Sequence, residues 1–541
     1  MPRVLLVDCA GRPLGYRVAT LDVIGFGTLL IAGVLKNRNI DVDLLVFEKY
    51  QKIAHTDPLD YAALLATGFT QDEPTLREAV RIWKRKHPDR PAIVGGPAAA
   101  RPRRVLAFGY DVAVIGEGEA ALEDLIAAGF PERLDREQLS KIRNLAYLSK
   151  EGELVVNDLR PFLRRREMDC YHAATELVTR YPFFWACRVY LEVVRGCSNY
   201  RRPTLPLPDG RECAECGRCR SGPLENRYYC PEGINPGCGY CSVPSLFGPS
   251  RSRSIDWICK HIREFLEHGV RRIVLSGSDF LDYGRDWLVE PDPLTDPCHP
   301  TPNLPAIREL LDAVSAICRE YGAVFMIENV KACLVTEEAA ALLGSYLKDT
   351  PVHIGVETGD PDFARELGRP YGPDEAFTAV QYLRRHGLRP YVYFIHGLPG
   401  ETDETLEASL RCMRRLWHAG VEKITVYRFQ PLPLSAFELY PRGPPAKAHR
   451  AAKRLVEEAN RLNHAAKELL VGRRIECIPA APHPNGRHYV CYPLRHGPVV
   501  LVPREQIETL TDQRSPIRVR VEEVAERFVK GSVVTPPARI H

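Results

Sequence analysis

The sequence predicts an α/β chain of three domains: a doubly wound parallel sheet, a partial (β/α) barrel and a small C-terminal β-barrel. Three observations carry this prediction. Apolar strand-like runs alternate with amphipathic helical runs over residues 1–145 and again over 186–445, and such alternation builds parallel sheets. Beyond one amphipathic stretch at 446–470, the pattern changes to short strands divided by Gly, Pro and His turns, which reads as an antiparallel barrel. A length of 541 residues leaves room for three ordinary domains.

In the first series the strand runs lie at 4–7, 41–47, 61–67, 91–95 and 111–115, with helical patterns at 75–85 and 119–127. Ligands of such sheets bind at the carboxyl ends of the strands. Two glycine-bearing turns sit there, Gly95-Gly96-Pro97 and Gly116-Glu117-Gly118-Glu119, but neither has GxGxxG spacing, so neither is a dinucleotide fingerprint. From the residues alone, a ligand crevice and a purely structural sheet both remain open. Residues 146–185, with the charged run Arg164-Arg165-Arg166-Glu167, read as a connecting region whose basic run is solvated surface.

The second series has strand runs at 189–194, 272–275, 323–327, 353–356, 391–395 and 423–427, with helical patterns such as 257–267 and 304–318 between them. Repeated β–α units close into a full or partial barrel with its chemistry at the carboxyl ends. Residues 446–470 form a connecting helix, and 471–541 form the last domain, with strands at 473–478, 487–492, 499–502 and 517–524.

With 45% hydrophobic and 26% charged residues, the composition excludes a disordered chain. A formal charge of +4 neither demands nor excludes a nucleic-acid partner, so any basic surface is local. No basic stretch with a long apolar core precedes the strand at 4–7, and the apolar run at 24–35 contains glycines and falls short of a membrane span. The expectation is a cytoplasmic protein without a membrane span. Arginine outnumbers lysine and proline is frequent, which fits a thermophile weakly.

Seventeen cysteines are many for a chain with no export signal, and their distribution is uneven. Cys197, Cys213, Cys216, Cys219, Cys230, Cys238 and Cys241 share one segment, a crowding that points to metal. Cys197 follows a strand through Arg195-Gly196, Cys238 and Cys241 form a CxxC pair, and the polar stretch 198–237 carries the other four. The seven divide as three plus four. Three thiolates leave one iron of a cubane open to a small molecule, whereas four close it. Soft thiolates suit zinc as well as Fe–S, so spacing does not choose the metal for Cys213, Cys216, Cys219 and Cys230. A second partition, with Cys230 beside Cys238 and Cys241, stays open. The other cysteines, Cys298 and Cys333 among them, are isolated in sequence and most read as small buried hydrophobes.

Arg195-Gly196-Cys197 and Cys238-Gly239-Tyr240-Cys241 resemble the cluster motif of the radical S-adenosylmethionine (SAM) superfamily, with the departure that the 198–237 insertion separates the first thiol from the others. Ser276-Gly277-Ser278-Asp279 resembles the strand end that binds the amino group of SAM in that family. The run 355–360, with Glu357 and Thr358, resembles its segment near the ribose. His396-Gly397-Leu398-Pro399-Gly400-Glu401-Thr402 is similar to the turn against the adenosine, and Gln430-Pro431-Leu432-Pro433 to a proline-rich last strand end. The resemblance implies a 4Fe-4S cluster that binds SAM on Cys197, Cys238 and Cys241. It also implies reductive cleavage of SAM, hydrogen abstraction from a substrate, and an electron donor of ferredoxin or flavodoxin type. A second 4Fe-4S cluster, or zinc, falls to the insertion. Glu328 is a candidate to hold SAM or substrate or to pair with Lys331, and His396 is a candidate for acid–base work or a structural hydrogen bond.

The first domain resembles the Rossmann-like cobalamin (B12)-binding domain that precedes the barrel in a large subgroup, through Gly95, Gly96, Gly116, Glu117 and Gly118. The DxHxxG motif of that domain is absent, since Asp8 is followed by Cys9, Ala10 and Gly11. Cobalamin is then bound without a protein histidine or has been lost; if bound, C-methylation is the implied outcome. The last domain resembles the TRAM barrel of RNA-modifying relatives, with Arg473, Arg474, Arg487 and Arg495 for phosphates and Tyr489 and Tyr492 for bases, which makes RNA a candidate substrate. The whole arrangement is similar to an archaeal-type subgroup of uncharacterised substrate. Two rival expectations stand beside this reading: a tRNA methylthiotransferase-like enzyme using the second cluster, and a zinc-containing nucleic-acid-binding protein.

Overall fold

The computed structural model describes residues 2–17, 21–56 and 58–534. Its first strands are β1 (Arg3–Asp8), β2 (Val23–Ile24), β3 (Asp41–Val46), β4 (Ala63–Thr67), β5 (Ala92–Gly95), β6 (Val112–Val114), β7 (Leu145–Leu148) and β8 (Leu154–Val156). Seven of them form one sheet in the order β3-β1-β4-β5-β6-β7-β8, parallel through β6 and antiparallel beyond it. Strand order reverses beside β1, the doubly wound arrangement that leaves a crevice at the carboxyl ends. The β7–β8 hairpin draws residues 145–156 into this sheet, a stretch that the sequence reads as connecting region from residue 146 on. A short antiparallel edge pair carries too little periodicity to announce itself.

The barrel follows: β9 (Arg188–Glu192), β10 (Val194–Arg195), β11 (Arg251–Ser252), β12 (Arg272–Ser276), β13 (Val324–Ile327), β14 (Pro351–Glu357), β15 (Arg389–His396) and β16 (Lys423–Arg428). β9, β12 and β13 pair in parallel, as do β14, β15 and β16, and the bridge Asn329–His353 joins the two groups into a six-stranded partial barrel. β10 and β11 make a small antiparallel ribbon at its mouth. Several helices between strands begin at side-chain caps, such as Ser254 for Ile255–Glu267 and Thr336 for Glu337–Leu347, which satisfy free N–H groups of the first turn. β2 leaves the first sheet and extends the barrel beside β9.

The domains share cores. Phe26, in the first-domain helix Phe26–Asn37, meets Trp257 of a barrel helix edge-on at 5.6 Å, and one apolar cluster runs through both. The last five strands, β17 (Arg474–Pro482), β18 (His488–Pro493), β19 (Val499–Pro503), β20 (Ile517–Val524) and β21 (Phe528–Val533), close a separate barrel in the order β17-β18-β19-β21-β20. Ile478, Ala480, Tyr492 and Leu494 of this barrel pack on Val274 and Met326, so it covers the amino-terminal end of the larger one. Trp185 Nε1 donates to the Pro479 carbonyl at 3.0 Å across this seam. Tyr492, read as a base-stacking candidate, is buried there and cannot stack on RNA; burial was invisible in a strand whose two faces are both apolar. The four arginines of that reading, Arg473, Arg474, Arg487 and Arg495, are exposed. No helix among the described residues is long and apolar enough to cross a membrane.

Candidate functional site

At the carboxyl end of β9 the chain turns through Gly196 into Cys197. Gly196 has φ of +82°, and a Cβ there would lie 2.1 Å from the Pro249 carbonyl, so only glycine lets the two backbones approach. Asn199 then binds two sulfurs: its main-chain N–H points at Cys197 Sγ (3.4 Å) and its Nδ2 at Cys238 Sγ (3.3 Å). Cys241 follows one tight turn later, with its N–H on the Cys238 carbonyl at 2.8 Å. Gly239 between them takes a hydrogen bond from Phe437 N, and a Cβ at Gly239 would fall 2.3 Å from the Phe437 ring. Burial pushes the Cys197 and Cys241 thiols up. Three soft donors gathered at a barrel mouth fit a cationic metal cluster.

The neighbouring strand ends supply polar groups. Glu357 closes β14 with φ of +67°, rare for a side chain of its kind, which turns its carboxylate toward Arg369 (3.5 Å) and Tyr240, while Arg369 also binds the Tyr240 hydroxyl and the Gly355 carbonyl. Burial raises Glu357 against the pull of Arg369. Thr358 is buried, with its hydroxyl shared between Ser409 and the Asp360 N–H. Ser276 donates to Glu328 at 2.8 Å, and Ser278 donates to the Gly196 carbonyl. A Cβ on Gly277 would meet Val194 at 2.9 Å, so this turn lies hard against the cysteine-bearing ribbon.

Asp279 is fully buried, with its carboxylate on the Leu281 and Lys331 N–H groups and on Lys331 Nζ (3.0 Å). Its contact with the cysteine-bearing segment runs through Lys331, which also binds Asp282 (2.8 Å) and Ser198 Oγ (2.9 Å) beside Cys197. The alternative pairing of Lys331 with Glu328 is not formed: Glu328 faces the barrel interior with Ser276, and burial pushes it up. On β15, His396 is buried and its Nδ1 has no hydrogen-bond partner among the described residues. Gly397 (φ +75°) gives its N–H to Glu401 at 2.7 Å, and Gly400 (φ +79°) completes the turn. The lumen below is lined by Tyr190, Glu328, His353, Tyr391 and Tyr393, with Tyr393 Oη on His353 Nδ1 at 2.9 Å.

In the insertion, Cys213, Cys216, Cys219 and Cys230 line one recess with Arg202 and Thr204. Arg202 is buried and donates to the carbonyls of Tyr200, Arg227, Tyr228 and Ile234, which fastens the insertion where local secondary structure is sparse. Among the described residues, no three His, Cys, Asp or Glu side chains are gathered tightly enough to grip a single metal ion. A cubane sets a wider spacing, because each thiolate binds its own iron.

The first-domain turns behave differently from one another. Glu117 is buried and bound by Arg195 (3.2 Å), Arg251 (3.0 Å) and the Leu163 N–H (2.8 Å), while Arg195 also bridges Glu119 (2.6 Å) and Glu192 (2.9 Å). A Cβ on Gly116 would meet the Leu246 carbonyl at 3.0 Å, and one on Gly118 the Ile31 side chain at 3.3 Å. This turn is a seam between the domains, with the Arg195 of the cysteine motif at its centre. The face of Gly95 is open, and Gly96 (φ +80°) packs on Gly68.

Sequence reasoning missed one constellation. Cys298 and Cys333, read as isolated, are brought together by the loops after β12 and β13: Cys333 Sγ lies 3.7 Å from the Pro297 carbonyl, one residue before Cys298. Their separation of thirty-odd positions carries no spacing signal.

These features define a radical SAM catalytic domain: residues 228–413 match the Radical SAM superfamily. The chain belongs to one family with an uncharacterized protein of Methanopyrus kandleri, to which it is 41% identical over 92% of its own length and 90% of the relative's. An uncharacterized protein of Methanocaldococcus jannaschii is 34% identical over 98% of both chains. Among solved structures, the radical SAM methyltransferase TsrM of Kitasatospora setae, solved with cobalamin and a 4Fe-4S cluster, is similar in fold, with TM-score 0.56, 15% identity, and coverage of 81% of this chain and 77% of that one. The superfamily match starts at residue 228, so it contains Cys230, Cys238 and Cys241 and leaves out Cys197.

Proposed function

We propose that this enzyme holds a SAM-binding 4Fe-4S cluster on Cys197, Cys238 and Cys241, and a second cluster on Cys213, Cys216, Cys219 and Cys230. The carrying observation is Asn199, which ties the Cys197 and Cys238 sulfurs together (3.4 and 3.3 Å), while Cys230 lines the recess of the other three thiols. When bound, a three-thiolate cluster supplies the electron that cleaves SAM and so generates a carbon-centred radical for hydrogen abstraction.

The protein's own groups supply position and shielding. Lys331 brings a buried positive charge beside Cys197, held there by Asp279 and Asp282. Glu357, restrained by Arg369 and Tyr240, and the Ser276–Glu328 pair offer polar contacts to SAM at neighbouring strand ends; the His396 Nδ1 offers one more. The Gly397–Gly400 turn, stiffened by Glu401, presents a flat backbone face. The polar aromatic lumen, closed below by the C-terminal barrel, excludes bulk water from the substrate.

The Gly116–Gly118 turn does not fit a corrin, because Glu117 is consumed by arginines and Leu246 covers Gly116, so no step is drawn through cobalamin. A ferredoxin- or flavodoxin-type donor and an RNA substrate at the exposed Arg473, Arg474, Arg487 and Arg495 belong to the same proposal; tRNA binding lost on removing residues 471–541 tests the latter.

Anaerobic reconstitution with iron and sulfide, iron counting and Mössbauer spectroscopy with and without SAM test the assignment. Two cubanes give about eight irons per chain, one of them perturbed by SAM. Cys197→Ala should lose the SAM-responsive spectrum and Cys230→Ala the unresponsive one. The reverse pairing would transfer Cys230 to the SAM site, and zinc without iron would end the radical reading.

A further inference from the structure

Cys298 and Cys333 lie outside both cysteine groups, on the loops that follow two adjacent strands of the barrel mouth. Cys333 sits in the short turn Ala332–Leu334 after β13, and its Sγ rests on the Pro297 carbonyl at 3.7 Å, the peptide unit that leads into Cys298. Cys298 is pinned from the other side: its N–H is held by Asp296 at 2.9 Å and its Sγ lies on the Pro370 carbonyl at 3.8 Å. Arg201 converges on the same Pro370 carbonyl at 3.1 Å, which brings a guanidinium near the Cys298 sulfur. Both thiols are half-buried, and the next residue, His299, has a side chain 82% exposed, so the pair is reachable from solvent.

We propose that Cys298 and Cys333 form a thiol–disulfide exchange site, with Cys298 as the attacking sulfur and Cys333 as the resolving one, whose substrate is the disulfide of a small thiol. The roles follow from asymmetry within the pair. Arg201 shares the Pro370 carbonyl with Cys298 Sγ and favours a thiolate there, whereas the Cys333 S–H donates to the Pro297 carbonyl and is kept in its thiol form. Contact with the Cys333 side chain and the nearby Arg201 bring Cys298 down to about 7 against burial, and the same contact with burial holds Cys333 up. A thiolate poised near ambient pH is the better nucleophile at neutral pH.

In the exchange, the Cys298 thiolate attacks one sulfur of R–S–S–R. A Cys298–S–R bond forms, the external S–S bond breaks and R–S⁻ leaves. Cys333 then gives up its proton to that thiolate or to water, its sulfur attacks Cys298 Sγ, and the second R–S⁻ departs. The two protein thiols lose two electrons between them, and the external disulfide gains two. Lys331 stands two residues before Cys333 and binds Ser198 beside Cys197, so closure of the disulfide would be felt at the first cysteine group.

The test uses the full-length protein, anaerobic, in oxidised and reduced glutathione mixtures, quenched with iodoacetamide and mapped by peptide mass spectrometry. The expected result is joint loss of both alkylated peptides with the appearance of a 298–333 cross-linked peptide. Cys333→Ser should instead accumulate glutathione on Cys298, and Cys298→Ser should slow modification of Cys333 at least tenfold. Circular dichroism checks that each variant is folded. Independent alkylation of the two thiols at every glutathione ratio, or cross-links only to other cysteines, would overturn the proposal. The exchange should persist in Cys197→Ala, so its outcome is separable from the cluster assignment.

Discussion

Asn199 donates its side-chain amide to the sulfur of Cys238 at 3.3 Å, and the same amide reaches the Gly368 carbonyl at 3.0 Å. A residue two positions after Cys197 thus reaches a thiol that lies beyond the whole insertion. It restores in space the closeness that the chain lacks in sequence. Hydrogen bonds to cluster sulfur ligands favour the reduced, more negative state. Asn199→Ala should leave iron content intact and lower the midpoint potential of the SAM-responsive cluster. One such bond is worth about 1 kcal/mol, or roughly 40–60 mV for one electron. A redox titration followed by electron paramagnetic resonance measures this; an unmoved potential would remove Asn199 from the site.

Gly239→Ala should destabilise the protein, because the new Cβ would lie 2.3 Å from the Phe437 ring. Overpacking of this kind costs about 1–3 kcal/mol. Phe437→Ala in the same chain clears the space, so a double-mutant cycle by urea unfolding should show coupling of about 1 kcal/mol or more. Additive losses would mean that the ring moves aside freely.

Lys331→Met strips Asp279 of its buried cation and leaves Asp282 with Arg285 and the Ser198 hydroxyl. Removing one partner of a buried charge network costs roughly 3–5 kcal/mol. In the wild type, Lys331 and Arg285 hold Asp282 down in spite of its burial, so this carboxylate's contribution is lost as pH falls through its folded value. In the variant the sign reverses, since an uncompensated buried carboxyl is more stable protonated. The deficit should shrink between pH 7 and pH 5 in denaturant unfolding, and a deficit that widens would contradict this account.

Glu401 is raised by burial to about 7, against the pull of the Gly397 and Leu398 N–H groups. Its stabilising contribution is complete below the unfolded carboxyl range and is lost as pH rises through about 7. Thermal unfolding should show the wild type losing roughly 2–3 kcal/mol of stability from this group between pH 5 and pH 8. Glu401→Gln, which stays neutral, should flatten that slope. Equal slopes for the two proteins would place the pH sensitivity elsewhere.

Much of the fold was legible because burial imposes a period on the chain. The runs at 272–275 and 391–395 became β12 and β15, and the change of pattern after residue 470 marked a separate closed barrel. The β7–β8 hairpin and the defection of β2 to the barrel sheet were not legible, since a two- or three-residue strand has no period to read. The same limit applied to the site. Cysteine crowding announced metal, but Glu117 looked like a ligand contact until Arg195 and Arg251 were seen to neutralise it. Asp279 likewise looked free until Lys331 was found upon it.

By itself, the sequence determined the class of chemistry, because thiol number and glycine turns are properties of residue type and local spacing. It also determined the order of domains, because hydrophobic periodicity follows the element that must bury it. Only the tertiary structure decided which polar groups face one another: that Lys331 pairs with Asp279 rather than Glu328, that Tyr492 is core, and that Cys333 rests on the peptide leading into Cys298. The physical reason is that charges and thiols act through distance in space, and the loops at a barrel mouth bring together residues whose separation along the chain says nothing about that distance.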